Sequence, residues 1–415
     1  MSNKNIQTLK GFRDFLPEEK RARNVVQGKI VETFERFGFE PLETPTLEYA
    51  SLLLGKYGDE ADKLVYSFKD RGDRSVALRY DQTVPSARVL SQYQGKLPKY
   101  FRRYQIQNVF RADKPQKGRY REFTQCDIDI FGSKSNIADS EILACSYFAY
   151  KNIGFKNIKL NLNDRTILIE ALTPFVTDSV DVYSIIQSVD KLDKKEKLEV
   201  VAELVEKGLS KDNATKALET LEKSKPSEEL SSIVIGAIKL GVPKDSLVFN
   251  PFLARGLDYY TGMIFEINLP EYGSGSCGGG GRYDNLINEL GGVDVPAVGV
   301  AFGFDRTVEA AQSLGLLPKK NSTSKVLVTV FGEKYKLASL ASASYLRKQG
   351  IATEVYPAID KLGKQFKYAN SKNIPFVIII GENEFEQGES KVVVKDMTSG
   401  NQEIVTIEKA AEILK

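Results

Sequence analysis

Histidine is absent from all 415 residues of the chain. Its absence removes the Ser-His and Cys-His couples of nucleophilic catalysis and the imidazole general base. The three cysteines, Cys126, Cys145 and Cys277, form no CxxC pair, so the sequence argues against an all-protein zinc site as well. Three scattered cysteines build no disulfide framework and fit a reducing compartment. No apolar run approaches a membrane span, and "MSNKNIQTLKGFRDFLP" carries no apolar signal core. The expected location is cytoplasmic, with no membrane partner. A net charge of +3 is too mild to mark a nucleic-acid binder by itself, although it permits local basic patches. There is no Walker A sequence. A divalent metal would have to be oxygen-bound and delivered with a phosphate. What remains is chemistry that works by positioning and charge neutralisation, such as phosphoryl or nucleotidyl transfer.

A chain of this length, 42% apolar and 27% charged, has the makings of two or three soluble domains. Val25, Val26, Ile30, Phe34 and Phe37 recur at helical spacing, which predicts a helix over Glu18–Phe37 that stops at Gly38. The prolines of "FEPLETPTLEY" favour extended chain. "SVALRYDQTVP", "KYFRRYQIQNVFRADK" and "YREFTQCDIDIFG" alternate apolar and polar residues, as half-buried strands do. In the last, Phe123, Cys126, Ile128 and Ile130 stand against Glu122, Gln125, Asp127 and Asp129. Up to residue 135 the pattern reads as an antiparallel meander. Residues 177–243, rich in Lys, Glu and Leu, read as a helical insertion. Strands return at 247–267, followed by a glycine hairpin at "GSGSCGGGGRYDNLINEL" and a strand and helix at "VPAVGVAFGFDRTVEAAQSL". After a linker at 317–325 the rhythm becomes strand, helix, strand, helix, strand, closed by "KVVVKDM" and "QEIVTIE" around "TSGN". The fold class is α+β: an antiparallel first domain over about residues 1–320 and a small α/β domain over 325–415.

The residues with chemical potential are mostly arginines. Arg79, Arg102, Arg103, Arg111, Arg119, Arg121, Arg255, Arg282 and Arg306 fall in or beside the strands. Each alone fits a solvated face; several in one sheet suit a polyphosphate, which guanidinium groups hold bidentately. Asp81, Asp127 and Asp129 either pair with those arginines or hold the ammonium group or polar side chain of a small ligand. "GSGSCG" matches GxGxxG, but the preceding antiparallel topology argues against a dinucleotide fold. Glycines here let backbone approach a flat ligand or turn tightly. Cys277 beside them is a candidate nucleophile or an ordinary small buried residue. In "LARGLDYYTGMIFE", Arg255, Tyr259 and Tyr260 crowd the start of a buried strand.

These segments resemble class II histidyl-tRNA synthetases over nearly the full chain. "TLKGFRDFLPEE" resembles the family's N-terminal signature, and "FGFEPLETPTLE", with Pro45, resembles motif 1. "VFRADKPQKGRYREF" resembles motif 2, and "AVGVAFGFDR" resembles motif 3. "LRYDQTVP" and "LARGLDYYTG" narrow the likeness to the histidine enzymes, and residues 325–415 resemble an anticodon-binding domain. The resemblance implies a homodimeric ligase that uses ATP and Mg²⁺ to activate L-histidine and load it onto tRNA(His). It implies that Asp81, Thr83 and Gln125 hold the α-ammonium, and that Asp129 and Tyr260, with Tyr259 lining the pocket, read the imidazole. Arg255 and Arg111 become the catalytic cations. Asp113 meets the adenine amino group, Phe123 stacks on the ring, and Arg119 and Arg306 grip the far end of ATP. Lys114 and Gln116 face the tRNA acceptor end, with Lys361, Lys364, Lys367 and Lys372 near the anticodon. The metal has no protein ligand and rides on the phosphates. One alternative remains: regulatory paralogs that keep the fold and bind histidine without aminoacylating, which tend to lack the second domain and the motif arginines.

Overall fold

The computed structural model describes residues 6–55, 63–114, 120–255, 259–273, 275–318, 322–382 and 391–415. It divides into two compact units. One comprises the chain up to Phe15 together with Ala22–Leu317; the other comprises Leu16–Arg21 with Pro318–Lys415.

The first helix runs Pro17–Arg36, with Val26, Ile30 and Phe34 on its buried face. β1 (Glu40–Pro41) follows. β2 (Leu47–Tyr49), β3 (Ser67–Lys69) and β4 (Ser75–Leu78) then pair as a small antiparallel sheet in the order β2-β4-β3. The strand expected through "SVALRYDQTVP" is cut short. It ends at Leu78, and Thr83 opens a helix, Thr83–Gln92. Proline reads as a helix breaker, but in the first turn its missing N–H has no intrahelical acceptor to lose. The Asp81 carboxylate accepts from the Val84 N–H at 3.2 Å and covers one leftover donor of that turn.

The remaining strands of this unit are β5 (Phe101–Phe110), β6 (Glu122–Phe131), β7 (Lys159–Asp164), β8 (Leu247–Phe249), β9 (Met263–Asn268), β10 (Ser276–Arg282) and β11 (Ala297–Phe302). With β1 they form an eight-stranded sheet in the order β1-β5-β6-β11-β10-β9-β7-β8. All interior pairs are antiparallel; β1 with β5 and β7 with β8 pair in parallel at the edges. The α+β expectation of a class II core on an antiparallel sheet is met. Side chains alternate between the two faces. Cys126, Ile128 and Ile130 turn toward the helices Pro17–Arg36 and Asn136–Ile153 and join the largest apolar core. The opposite face of β6 carries Phe123, Gln125, Asp127 and Asp129. Phe123 therefore sits with the polar row and not with Cys126, as its apolar character suggests; a period of two leaves no other choice.

The glycine run is not a hairpin. The turn lies earlier, where Gly273 and Gly275 take positive φ of 70° and 59°. Gly278–Gly281 form the interior of β10, between β9 and β11. A methyl group on Gly280 would meet the Val300 Cα at 2.6 Å and the Gly299 carbonyl oxygen. One on Gly279 would strike the Arg255 guanidinium, and one on Gly281 would meet the Tyr260 ring at 2.9 Å. Bare backbone here makes room for the site.

Between β7 and β8 the chain builds the helices Val182–Val189, Lys197–Lys207, Lys211–Lys223 and Glu228–Lys239. The last packs on the core through Leu230, Ile233 and Ala237. In the second unit, β12 (Val326–Val328), β13 (Thr353–Val355) and β14 (Phe376–Ile379) are parallel. β15 (Lys391–Asp396) and β16 (Gln402–Thr406) extend them in the order β13-β12-β14-β15-β16.

Gly280→Ala should lower unfolding stability by about 1–3 kcal/mol, the usual cost of overpacking. The urea midpoint will show it, with Gly363→Ala as control, because nothing lies within 4 Å of a methyl group there.

Candidate functional site

The polar face of the large sheet opens into a cleft of about 640 Å³. Of the residues singled out from the sequence, Arg111, Asp113, Phe123, Gln125, Arg255 and Arg306 all line it. Arg111 leaves the end of β5. Its Nε donates to the Tyr80 carbonyl at 3.1 Å, and its guanidinium lies 4.4 Å from the Tyr80 ring and 5.2 Å from the Phe123 ring. Arg306 stands in the first turn of the helix Phe304–Ser313, and its Nη1 donates to the Ser276 carbonyl. Arg255 adopts φ = 48°, an uncommon conformation for a non-glycine residue, and strain of this kind persists where surroundings enforce it. Its Nη1 lies 3.3 Å from Glu266 Oε1, and its Nε has no hydrogen-bond partner among the described residues. Three permanent cations thus border one cavity over a floor of glycine backbone.

Behind the cleft the polar row of β6 continues into the protein. Gln125 Nε2 donates to Asp127 Oδ2 at 2.8 Å. Asp129, directly across from Arg103 in the β5–β6 register, has Oδ2 2.7 Å from Arg103 Nη2 and accepts a hydrogen bond from the Tyr283 hydroxyl. Arg103, Asp127 and Asp129 are all buried. Burial pushes the Asp127 carboxyl well above the ordinary range; Arg103 opposes this, and Asp129 and Asp81 add to it. Burial also raises Asp129, with Arg103 and Tyr283 pulling the other way. Tyr259 packs against Tyr260 and Tyr283, with ring centroids 4.7 and 5.9 Å apart. Burial raises the Tyr259 and Tyr283 phenols far above their usual range, so both remain donors. Asp81 and Thr83 lie at the start of the helix Thr83–Gln92. Lys114 is exposed beyond β5; Gln116 and Arg119 lie outside the described residues.

The other arginines have different work. Arg79 donates to the carbonyls of Asn108 (2.7 Å) and Thr44 (2.8 Å), Arg282 pairs with Asp139 and Asp284, and Arg102 pairs with Glu141. Burial lifts the Cys277 pKa to about 11, which leaves a thiol and no nucleophile. Sequence reasoning missed the wall made by the N-terminal segment. Arg13 and Arg23 both pair with Asp305, and the Arg13 guanidinium sits over the Tyr120 ring, 3.3 Å from its centroid. Arg23 also donates to Thr124 Oγ1 at 2.9 Å. The one signal was position: Asp305 immediately precedes Arg306, and a half-buried acid beside a functional cation needs a partner.

Two family models match the chain: "Histidyl-tRNA synthetase" over residues 11–307 and "Anticodon binding domain" over residues 325–415. The histidine–tRNA ligase of Wolinella succinogenes is 40% identical over 98% of both chains, and that of Pyrococcus furiosus is 38% identical over 99% of both. Among solved structures, histidyl-tRNA synthetase from Nostoc sp. PCC 7120 superposes with a TM-score of 0.85 at 28% identity, covering 99% of each chain. A Bacillus halodurans protein described as an ATP phosphoribosyltransferase regulatory subunit/histidyl-tRNA synthetase shares the fold. Its TM-score is 0.76 at 21% identity, over 91% of this chain and 99% of that one.

Arg103→Leu would leave Asp129 buried without its cation, at a cost of about 3–5 kcal/mol. Adding Asp129→Asn should recover part of the loss, and denaturant unfolding of both variants measures the difference.

Proposed function

The chain belongs to the histidyl-tRNA synthetase family, and we propose that the cleft divides the work of a histidine–tRNA ligase among the residues described above. The ligase activates L-histidine with ATP and transfers it to tRNA. The observation that carries the residue assignment is the ring of Arg111, Arg255 and Arg306 around one cavity, backed by buried acids.

Asp81, Thr83 and Gln125 hold the α-ammonium. Asp129 with Tyr259 and Tyr260 faces the imidazole, a ring with one donor and one acceptor that an acid and a phenol match. The ionised Asp129, buttressed by Arg103 and Tyr283, accepts from the ring N–H. Phe123 stacks on adenine, Asp113 takes the adenine amino group, and Arg306 and Arg119 hold the outer phosphates. The histidine carboxylate attacks the α-phosphorus, the bond to the bridging oxygen breaks, and pyrophosphate leaves with the electron pair. Arg111 and Arg255 face the charge that grows on the α-phosphate and act by preorganised electrostatics. No protein nucleophile takes part, consistent with the absent histidine and the protonated Cys277. The terminal ribose hydroxyl of the tRNA then attacks the carbonyl carbon of the adenylate, with Lys114 and Gln116 at the acceptor end. The bond from that carbon to the phosphate oxygen breaks, and AMP leaves with the electron pair while the hydroxyl proton passes to its phosphate or to water.

Mg²⁺ fits as an ion carried on the ATP phosphates. Of the acids lining the cleft, Glu266 and Asp305 already face arginines, and the ion needs hard oxygen donors. When bound it neutralises phosphate charge. A homodimer is supported by the small sheet, where Leu47, Tyr49 and Phe68 are 45%, 61% and 49% exposed beside Pro45. Residues 325–415 bind the anticodon arm. Lys364 and Lys372 are held by Asp360 and Glu354, so exposed Lys361 and Lys367 are the better phosphate contacts. Three buried free thiols support the cytoplasm.

Pyrophosphate exchange into ATP, tried with each of the twenty amino acids and without tRNA, should respond to histidine alone. Arg255→Ala should lower that exchange at least a hundredfold, about the effect of removing one oxyanion donor, while calorimetric histidine affinity stays within threefold. Histidine binding without exchange in the unaltered protein would reject the ligase reading in favour of a regulatory one.

A further inference from the structure

Several buried side-chain atoms without hydrogen-bond partners among the described residues gather around one point of the sheet: Gln82 Oε1, Arg103 Nε and Nη1, Gln125 Oε1 and Asp127 Oδ1. Buried polar groups are rarely left so, and a cluster of them marks a place completed by a ligand. Asp127 stands out. It is 4% exposed, the ligase assignment above gives it no role, and its neighbours Asp129 and Asp81 are acids as well. One buried arginine, Arg103, faces both β6 aspartates.

We propose that Asp127 is a positioning residue for amino-acid recognition: it fixes the Gln125 amide so that the carbonyl oxygen, and not the NH₂ group, faces the α-ammonium. The proposal rests on the assignment of Gln125 to that ammonium. With a cationic ammonium beside it Asp127 is held ionised and only accepts, so the amide atom 2.8 Å from Asp127 Oδ2 is then the nitrogen. The amide is planar, so Oε1 is thereby turned the other way. In the structure Oε1 is buried and has no partner among the described residues. A carbonyl oxygen so placed accepts from –NH₃⁺; a flipped amide would present a donor to a donor. Residue 127 lies two positions along β6 from Gln125, on the same face, so the strand's own pleat sets the spacing. Burial raises the Asp127 carboxyl, against the pull of Arg103, and a bound cation relieves that cost. An ammonium is the ligand charge that complements Asp127 and Gln125 Oε1.

The test is histidine-dependent pyrophosphate exchange by the full-length protein carrying Asp127→Asn, Gln125→Ala, or both. Asparagine keeps the shape of aspartate and removes a buried charge, but its amide pairs with Gln125 in either orientation. Each single variant should raise the histidine KM at least tenfold, far more than the KM for ATP. The double variant should be no worse than Gln125→Ala alone, because Asp127 acts through that amide. An unchanged histidine KM in Asp127→Asn, or losses that multiply in the double variant, would overturn the proposal. An unchanged histidine KM in Gln125→Ala would instead remove the underlying assignment of the ammonium.

Discussion

The run Gly278–Gly281 lies in the interior of an eight-stranded sheet, where glycine brings neither packing nor rigidity. Relative to alanine, four such residues cost about 2–4 kcal/mol of backbone entropy. The sheet tolerates this because its other face is covered by the helices Pro17–Arg36 and Asn136–Ile153 and the largest apolar core. In return Gly278–Gly281 put no side chains into the site. Arg255 lies over Gly279 and Tyr260 over Gly281, in volumes that a single methyl group would occupy. The guanidinium itself therefore lies directly against bare backbone in the cleft, on a residue whose φ of 48° is uncommon outside glycine.

The second constraint is charge balance in a dry place. Arg103 cannot lose its proton, and Asp129 sits 2.7 Å away, across one β-ladder. That pair is neutral together. Burial raises the Asp127 carboxyl, which ionises most readily beside a cation, so the interior end of the site favours one. The outer end does the reverse: Arg111, Arg255 and Arg306 gather where phosphates belong. A zwitterionic amino acid and a polyphosphate can lie end to end along this gradient, the ammonium inward and the carboxylate toward the arginines. Preorganised charge of this kind does the work for which other enzymes use an imidazole.

Much of this fold was legible in the residue pattern. Val26, Ile30 and Phe34 mark a helix by their spacing, and β5, β6, β11 and the strands of the second unit follow from alternation or apolar runs. Two local signals misled. Pro85 looked like the end of extended chain but occupies a helical first turn, where proline is harmless. Glycines 278–281 looked like a turn, since nothing local distinguishes glycine used for bending from glycine used for clearance. The motif residues of the cleft were within reach because they are close in sequence to strand ends. Arg103 was named among the strand arginines without its particular partner, and Tyr283 and the Arg13–Arg23–Asp305 wall were not found. Their roles depend on which strands become neighbours: Arg103 faces Asp129 only through the β5–β6 register, and Tyr283 reaches it from the end of β10.

The most direct test of this account is the exchange activity of Gly279→Ala, in protein that retains the unaltered far-UV circular dichroism. The added methyl group would occupy the volume of the Arg255 guanidinium. The account predicts that exchange falls as far as it does on deleting the Arg255 side chain, with histidine still bound. Exchange at the unaltered rate would mean that Arg255 has no need of bare backbone beneath it, and would contradict the claim that the glycine strand builds the site.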